Sequence, residues 1–395
     1  MNRPPYVRDR FTWMMYLSLG YFAYLQTVPG PTVPFLRDEL NMNYTVTGLH
    51  LTAFALGMLL IGLVGERVIS RFGRYRSFWG GLFGMSIGAG LIVFTWHPLV
   101  SIAGMFVMGF VGTVMLTTLQ SSIADYHGEN GTIGLTESNV IAVIFAAVGP
   151  QIVSFGEQTA GLGWRFAWWV MVLFGVGLFI VFRGVAFPVP AQPAERTRTA
   201  QPLPTLFWLY WVVVVFSIAL EWSLIYWGAD FLQNVANFPA TQASSLVSLF
   251  FVAMIIGRVV GSRLVQTYGA SVFLWVAIFT FAVGFGIFWL MPYPLARVAG
   301  LFIAGIGSAN LYPLTLAIGI KVSGNQADKA SSRVVFGVGF SIVVFPQVLG
   351  GLADQVGIWN AFGIVPVLLI SIVIACGLAQ YFAQTSITSE RLPSS

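Results

Sequence analysis

Charge, cysteine and histidine are all scarce in this sequence, and each scarcity excludes a class of protein. Only 8% of the 395 residues are Asp, Glu, Lys or Arg, whereas a soluble domain carries about 25%. The single cysteine, Cys376, excludes a disulfide framework and a cysteine metal site. His50, His97 and His127 are scattered and form neither a metal-ligand spacing nor a nucleophile–base pair. We therefore expect no enzyme, no metal site and no cofactor.

Apolar residues are what the sequence has in abundance. It is 57% hydrophobic, with a mean hydropathy of +0.82. Stretches of about 20 apolar residues recur along it, each long enough to cross a bilayer core about 30 Å thick. The first such run begins at Phe11 and is too long for the apolar core of a signal peptide. The pattern predicts an all-α integral membrane protein with twelve transmembrane helices, at 11–36, 45–68, 77–96, 98–124, 134–157, 164–183, 205–231, 240–265, 271–291, 294–320, 331–353 and 358–383.

The basic residues are distributed unevenly between the two ends of these helices. With the N-terminus in the cytoplasm, 16 of the 19 Lys and Arg residues lie at cytoplasmic ends, and only Arg37, Arg165 and Arg297 do not. This asymmetry predicts a multi-pass protein of a prokaryotic inner membrane with both termini in the cytoplasm. It also accounts for the net charge of +5, so we expect membrane lipids and no nucleic acid among the partners.

The two halves of the chain repeat each other at an offset of 196 residues. Residues 65–109 and 261–305 share 13 identities over 45 ungapped positions, mostly at Gly, Pro, Trp and Arg. Composition alone would give about four. The repeat predicts two pseudo-symmetric six-helix bundles, 1–183 and 205–395, joined by a cytoplasmic linker at 184–204 that is rich in Pro, Ala and Arg. Transporters commonly bind their solute between such repeats.

The turn after the second predicted helix resembles a family signature. It reads "GERVISRFGRYR" at 65–76 and is similar to the Gly-x-x-x-Asp-Arg-x-Gly-Arg-Arg motif of the major facilitator superfamily. Arg71, Gly73 and Arg74 match that motif, whereas Ser70 stands where the acid is expected. Glycine permits a tight reversal, and arginines suit helix ends beside anionic headgroups. The resemblance implies a twelve-helix transporter that works by alternating access, with helices 1, 4, 7 and 10 around a central cavity.

A narrower resemblance links the chain to the fucose-permease-like branch of that superfamily. Glu221 is followed six residues later by Trp227, as in that branch, although Ala219 replaces its usual Gly. The stretches 255–261 and 345–357 are also similar to it. The resemblance implies proton-coupled symport of a small polar solute such as a sugar, by a carrier that can work as a monomer.

One acidic residue falls near the middle of a predicted helix. Glu221 is about seventeen residues into helix 7, at a depth where a charge costs at least a few kcal/mol. A carboxyl group at that depth is suited to loading and releasing a proton, although a purely structural role stays open. Amides that both donate and accept hydrogen bonds, together with aromatic rings, suit a hydroxyl-rich ligand. The predicted ligand-binding residues are Gln26, Tyr24, Gln151, Trp222, Trp227, Asn310 and Gln347.

Charged residues at the predicted cytoplasmic helix ends suggest a gate. The repeat offset places Arg333 opposite in sign to Glu137. Two bridges, Glu66 with Arg333 and Glu137 with Arg263, would hold the cytoplasmic side closed. Each would be worth only about 0–1 kcal/mol, so they would bias the conformational equilibrium without locking it. Separate contacts of these residues with lipid headgroups are an equal alternative.

Two further functions remain open from the sequence. An exporter of amphipathic compounds or organic anions would use an aromatic-rich cavity, and Arg258 in helix 8 would favour the anions. Pairing of Arg258 with Glu137 and a supporting role within its own helix stay open as well. A receptor or lipid-handling protein of the same fold, which transports nothing, is the other alternative.

Overall fold

The computed structural model describes residues 6–159, 161–188 and 202–390, and these are helical apart from short turns. The all-α fold class is therefore confirmed for the described residues. Much of the predicted linker, residues 189–201, lies outside them. The α-helices are α1 Arg10–Thr27, α2 Pro29–Glu39, α3 Tyr44–Val93, α4 Pro98–His127, α5 Gly131–Gln158, α6 Phe166–Phe182, α7 Thr205–Asn234, α8 Ala240–Leu246, α9 Ser248–Tyr268, α10 Ala270–Leu290, α11 Pro294–Val322, α12 Ala327–Val356, α13 Ile358–Ala361 and α14 Ile364–Glu390.

Length and composition make much of this helical structure able to cross a membrane. Eight stretches of the described chain are long and apolar enough, and one of them, Pro98–Gln158, contains both α4 and α5. Phe166–Phe182 is also apolar but shorter. Two predicted helices, 45–68 and 77–96, are joined into α3, whose backbone breaks at Gly73. Helix thus extends up to this glycine from both sides, beyond the predicted ends.

Proline divides the first predicted helix into α1 and α2. Pro29 and Pro31 lack the N–H groups that would continue the hydrogen-bond ladder, so a new helix begins at Pro29. The Thr32 hydroxyl donates to the carbonyl oxygens of Val28 and Pro29, at 3.0 Å each. This hydroxyl group thereby adds to the backbone bond that the Thr32 N–H donates to the Val28 carbonyl oxygen at 3.2 Å, in the first turn of α2.

The sequence repeat reappears in the backbone conformation. Helices α4 and α11 begin 196 residues apart, each with proline in its first turn, where no N–H donor is needed. Seven glycines and two asparagines of the described chain have positive φ, and all except Gly163 pair at the same offset. The pairs are Asn41 with Asn237, Gly73 with Gly269, Gly128 with Gly324, and Gly161 with Gly357. The duplication therefore preserved the turns, which require particular backbone angles, more strictly than the helices between them.

The described chain forms two compact units that do not coincide with the two sequence halves. The first unit contains the residues up to 188 together with Ile225–Phe251, which is the end of α7, all of α8 and the start of α9. Its apolar core includes Tyr21, Phe54 and Trp168. The second unit contains residues 202–224 and 252–390, with a small cluster around Phe207. The predicted division at 183 and 205 stays a prediction.

Candidate functional site

In the second unit, Glu221 lies among polar groups from two other helices. Its side chain projects from α7 and is partly buried. The Ser308 hydroxyl of α11 donates to Glu221 Oε2 at 3.2 Å. Arg258 of α9 and Tyr312 of α11 both interact electrostatically with the carboxyl group. The site thus combines one acid, one base and two hydroxyl groups from three helices.

Close packing of α9 against α11 places Arg258 in this cluster. Gly257 and Gly261, one helical turn apart, face α11, and a Cβ on Gly257 would lie 2.7 Å from the Ile306 carbonyl oxygen. Asn310 Nδ2 donates to the Gly257 carbonyl oxygen at 2.8 Å. This bond fixes the backbone next to Arg258, whose Nε is buried and has no hydrogen-bond partner among the described residues.

Three predicted ligand-binding residues lie in the same unit. Asn310 is buried and uses its amide donor on Gly257, so its oxygen is the atom that stays available. Trp222 follows Glu221 directly and is only 7% exposed, and Gln347 is partly buried on α12. Their binding roles stay predictions. Ser308 was missed by the sequence reasoning, because a serine among the small residues of α11 carries no distinguishing signal.

Two other predicted ligand-binding residues belong to the core of the first unit. Tyr24 is fully buried, and its hydroxyl donates to the Ala167 carbonyl oxygen at 2.9 Å. Gln26 is partly buried, and its Nε2 lies 3.8 Å from the Met58 sulfur. In this conformation Tyr24 packs α1 against α6, whereas Gln26 has only a weak acceptor. Gln26 is therefore the more available of the two for a ligand.

The remaining two predicted ligand-binding residues, Gln151 and Trp227, involve the segment Ile225–Phe251 of the first unit. Gln151 Nε2 donates to the Ser245 carbonyl oxygen at 3.0 Å. Trp227 is fully buried, with its ring centroid 5.6 Å from that of Tyr44. Trp227 therefore contributes to internal packing here, whereas Gln151 is exposed and bonds to the backbone of α8. Their predicted contacts with a ligand are untested.

A buried ion pair also holds Ile225–Phe251 in the first unit. Arg37 at the end of α2 bonds to Asp230 of α7, whose side chain is fully buried, while that of Arg37 is 11% exposed. The Arg37 guanidinium also lies over the Tyr44 ring, 4.6 Å from its centroid. The sequence marked Arg37 only as a cation outside the cytoplasmic set, and Asp230 carried no signal of its own.

Backbone acceptors complete this junction. The hydroxyl groups of Tyr226, Ser244 and Ser248 donate to the carbonyl oxygens of Thr47, Pro31 and Ala147, at 2.7, 2.7 and 2.6 Å. A Cβ on Gly30 would also collide with the backbone at Ile225. We call the Arg37–Asp230 pair and these three hydroxyl bonds the α7–α8 junction.

The predicted cytoplasmic gate residues have other surroundings. Glu137 accepts hydrogen bonds from Arg8, at 2.5 and 2.8 Å, and from the Tyr16 hydroxyl at 2.9 Å. Arg263 and Arg333 are exposed at the ends of their helices. The side chain of Glu66 lies outside the described residues, so both bridges stay predictions.

The motif at 65–76 forms a tight turn anchored by one arginine. Gly73 has a φ of 75°, a conformation that favours glycine. Arg74 bonds to Asp125 at the end of α4, and its Nη1 donates to the Pro188 carbonyl oxygen at 3.1 Å. Arg71 lies over the neighbouring Phe72 ring, 5.7 Å from its centroid. Asp125 therefore supplies the negative charge for Arg74 in a motif where serine stands at the acidic position.

Comparison with known proteins agrees with this arrangement. The family model of the Major Facilitator Superfamily matches residues 15–244 and 212–391. An uncharacterised MFS-type transporter of Yersinia pestis is 22% identical over 347 residues, which cover 87% of this chain and 88% of the relative. The uncharacterised MFS-type transporter YtbD of Bacillus subtilis (strain 168) is 21% identical over 364 residues, 87% of this chain and 89% of that protein.

Solved structures share the fold at low sequence identity. A mutant of the nucleoside transporter NupG superposes with a TM-score of 0.74 at 12% identity, over 93% of this chain and 99% of that one. A bacterial homologue of the human lysosomal transporter Spinster, inward-facing and unoccupied, gives 0.75 at 13% identity, over 98% and 99%. A variant of the E. coli fucose:proton symporter FucP gives 0.60 at 15% identity, over 94% and 99%.

Proposed function

Since the chain belongs to the major facilitator superfamily, we propose that it is a secondary active transporter that imports a small polar solute, such as a sugar, together with protons. Membership confirms the resemblance drawn from the sequence, and it confirms a multi-pass membrane protein that is not an enzyme. Transport of a small solute is supported by the family and by its nucleoside, Spinster-like and fucose:proton neighbours.

The finer architecture belongs to the same proposal. Twelve membrane spans form two six-helix bundles, both termini lie in the cytoplasm, and the protein works as a monomer in the inner membrane. The positive-φ turns that recur at an offset of 196 residues support the duplicated arrangement. The bacterial relatives support a prokaryotic origin.

Glu221 is the observation that carries proton coupling. Its carboxyl group accepts a bond from Ser308 and interacts electrostatically with Arg258, in a helix whose neighbouring residues Leu220 and Leu224 are buried and apolar. A charge in such surroundings is costly unless it is compensated. Loading or losing one proton therefore changes the energy of the site, and this is what coupling requires.

Uncharged polar groups in the same unit as Glu221 suit a hydroxylated solute. The Asn310 oxygen, Trp222 and Gln347 would bind it there, and the binding role of Gln26 stays a prediction. Amides can donate to and accept from sugar hydroxyl groups, and an indole offers an apolar face to C–H surfaces. Tyr24 and Trp227 would take part only in a conformation that frees them from their present packing, and Gln151 only in one that breaks its bond to Ser245.

Alternating access also requires the α7–α8 junction to open. Given cytoplasmic termini, this junction lies at the outer ends of the helices, where Arg37 and Asp230 join parts of the two sequence halves. The bonds of the junction favour a state in which its outer ends are closed. Opening toward the outside would break the pair.

An exporter of organic anions is the second candidate. The partnerless Nε of Arg258 favours it, because a guanidinium presents a planar fork of donors that matches a carboxylate. Import and export are distinguished by which proton gradient drives the flux.

Proteoliposomes with a pH-sensitive dye inside test the proposal. An inward proton gradient is imposed, sugars, polyols and organic acids such as sugar acids are added, and wild type is compared with Glu221→Gln. We expect one solute class to accelerate proton entry in wild type and not in the variant. Proton release driven only by outward flux of amphipathic dyes or organic anions would replace the proposal with the exporter.

A further inference from the structure

Arg258 and Glu221 carry opposite charges in one cluster without forming a direct ion pair among the described residues. The carboxyl group is bonded instead to Ser308, and the guanidinium keeps a buried Nε with no partner. A buried donor without an acceptor is unfavourable unless a ligand or water satisfies it. The cluster therefore contains an arginine whose Nε donor is available to a ligand.

The packing around Arg258 shows that this position is held in place. Gly257, the preceding residue, receives a hydrogen bond from Asn310 and packs closely on the backbone of α11. Gly261, one turn later, lies against the Asn310 amide, 2.5 Å from where its Cβ would be. The backbone that carries Arg258 is therefore fixed, so binding a ligand there orders the side chain without also ordering the backbone.

The charges that act on the site can be enumerated for the described residues. Arg258 of α9 and Tyr312 of α11 interact electrostatically with the Glu221 carboxyl group, and the uncharged Ser308 hydroxyl of α11 donates to it. When Glu221 is ionised, it and Arg258 neutralise each other. When Glu221 takes up a proton, the positive charge of Arg258 has no counterpart in the cluster.

We infer that Arg258 binds the acidic group of the transported solute, a hydroxylated monocarboxylate such as a sugar acid, while Glu221 carries the proton. This inference rests on the proposed proton symport and specifies its substrate. An arginine fork matches a carboxylate with two parallel hydrogen bonds. The hydroxyl groups of Ser308 and Tyr312 and the amide of Gln347 then serve the remainder of the solute.

Charge balance favours a monocarboxylate over the other polar solutes. Entry of one proton on Glu221 and one monoanion on Arg258 leaves the total charge of the cluster unchanged. A neutral sugar would leave Arg258 uncompensated in the loaded state, and a phosphate dianion would add a surplus negative charge. Because uncompensated charge at membrane depth is costly, the conformational change of the loaded carrier is least unfavourable when the bound solute is a monoanion.

The test uses the full-length protein in proteoliposomes and two matched pairs of solutes, gluconate with sorbitol and glucuronate with glucose. An inward proton gradient should drive uptake of both acids with proton entry, and neither neutral partner should accumulate. A membrane potential set with potassium and valinomycin should leave acid uptake unchanged, because a proton and a monoanion together carry no net charge. This wild-type measurement does not depend on any variant folding correctly.

Variants then assign the role to Arg258. Arg258→Gln should raise the KM for the acid about tenfold to a hundredfold, the size expected for lost charged hydrogen bonds, and Arg258→Lys should restore part of it. Arg67→Gln, the same change at an exposed position of α3, should transport as wild type does.

Two results would overturn the inference, and they differ in what they leave standing. If sorbitol or glucose drives proton entry, and uptake of that solute is equal in wild type and Arg258→Gln, the anion site is wrong and proton symport survives. If none of the four solutes moves protons in wild type, both the anion site and the sugar symport are wrong.

Discussion

Neutralising Asp230 should shift the protein toward an outward-open state. In the α7–α8 junction its fully buried carboxyl group bonds to Arg37, whose guanidinium is itself only 11% exposed. Asp230→Asn keeps the shape of the side chain and removes its charge, so the arginine loses its buried counter-ion while the junction is closed and keeps only the exposed Asp38. Opening the junction gives that arginine access to water. The substitution therefore penalises the closed state selectively.

The size of the shift follows from the burial of the pair. Removing one partner of a buried pair costs about 3–5 kcal/mol. At about 1.4 kcal/mol per factor of ten, this corresponds to a change of roughly two to three and a half powers of ten in the closed-to-open ratio. Because the amide oxygen of the introduced asparagine would still accept one hydrogen bond, the expected change lies at the lower end, about a hundredfold.

A cysteine inside the junction reports the opening. Ala243 on α8 is fully buried, and the only native cysteine, Cys376, is also buried. In a Cys376→Ser background, Ala243→Cys is labelled with a membrane-impermeant maleimide in right-side-out vesicles. Adding Asp230→Asn should raise the labelling rate at least about tenfold, given the shift worked out above.

The neighbouring acid provides a matched control. Asp38 lies 3.5 Å from the same arginine, but its side chain is 63% exposed, so Asp38→Asn should leave labelling unchanged. Combining Arg37→Gln with Asp230→Asn removes the lone charge and should recover part of the protection. Equal labelling of the Asp230→Asn and Asp38→Asn proteins would refute the reasoning.

Two further predictions concern stability. Gly73→Ala should lower the free energy of unfolding by about 1–2 kcal/mol because φ is 75° at this residue. Gly80→Ala, in open space on the same helix, should leave it unchanged or raise it by up to about 1 kcal/mol. Equal thermal midpoints of the two variants in detergent would contradict this prediction. Arg165, bonded to Glu39 at 2.5 and 2.7 Å, lowers the pKa of that carboxyl group below its ordinary 4.5. The pair therefore stabilises the protein above pH 4.5, by at most about 1 kcal/mol because Glu39 is partly exposed. The Glu39→Gln protein should lack this stabilisation at neutral pH. Its stability should match that of wild type once the pH falls below the lowered pKa of Glu39.

Features that depend on local sequence were predictable. The apolar stretches located helices such as α4 and α11 to within a few residues, because a helix needs about twenty apolar residues to cross the lipid bilayer. The repeat anticipated the glycine turns at Gly73 and Gly269, since glycine at an equivalent position implies an equivalent φ. The depth of Glu221 followed from counting along α7.

Pairings between distant residues were not predictable from one sequence. Asp230 lies 193 positions from Arg37, and nothing in the pattern of α7 indicates which residue faces it. Ser308 belongs to the site because its hydroxyl group on α11 donates to Glu221 on α7, a contact that composition does not encode. Tyr24 shows the reverse case, because a tyrosine that looked available for a ligand donates to the backbone of α6 instead.

Accumulation and exchange, compared in one preparation, test the central claim that Glu221 couples solute movement to protons. An inward proton gradient is imposed on proteoliposomes that contain wild type or Glu221→Gln. Uptake of labelled solute is then followed with and without a protonophore. Exchange of labelled for unlabelled solute is measured in parallel without any gradient. The account predicts that wild type accumulates solute until the protonophore is added, and that the variant exchanges solute but does not accumulate it. Gradient-driven accumulation by the Glu221→Gln protein would contradict the account.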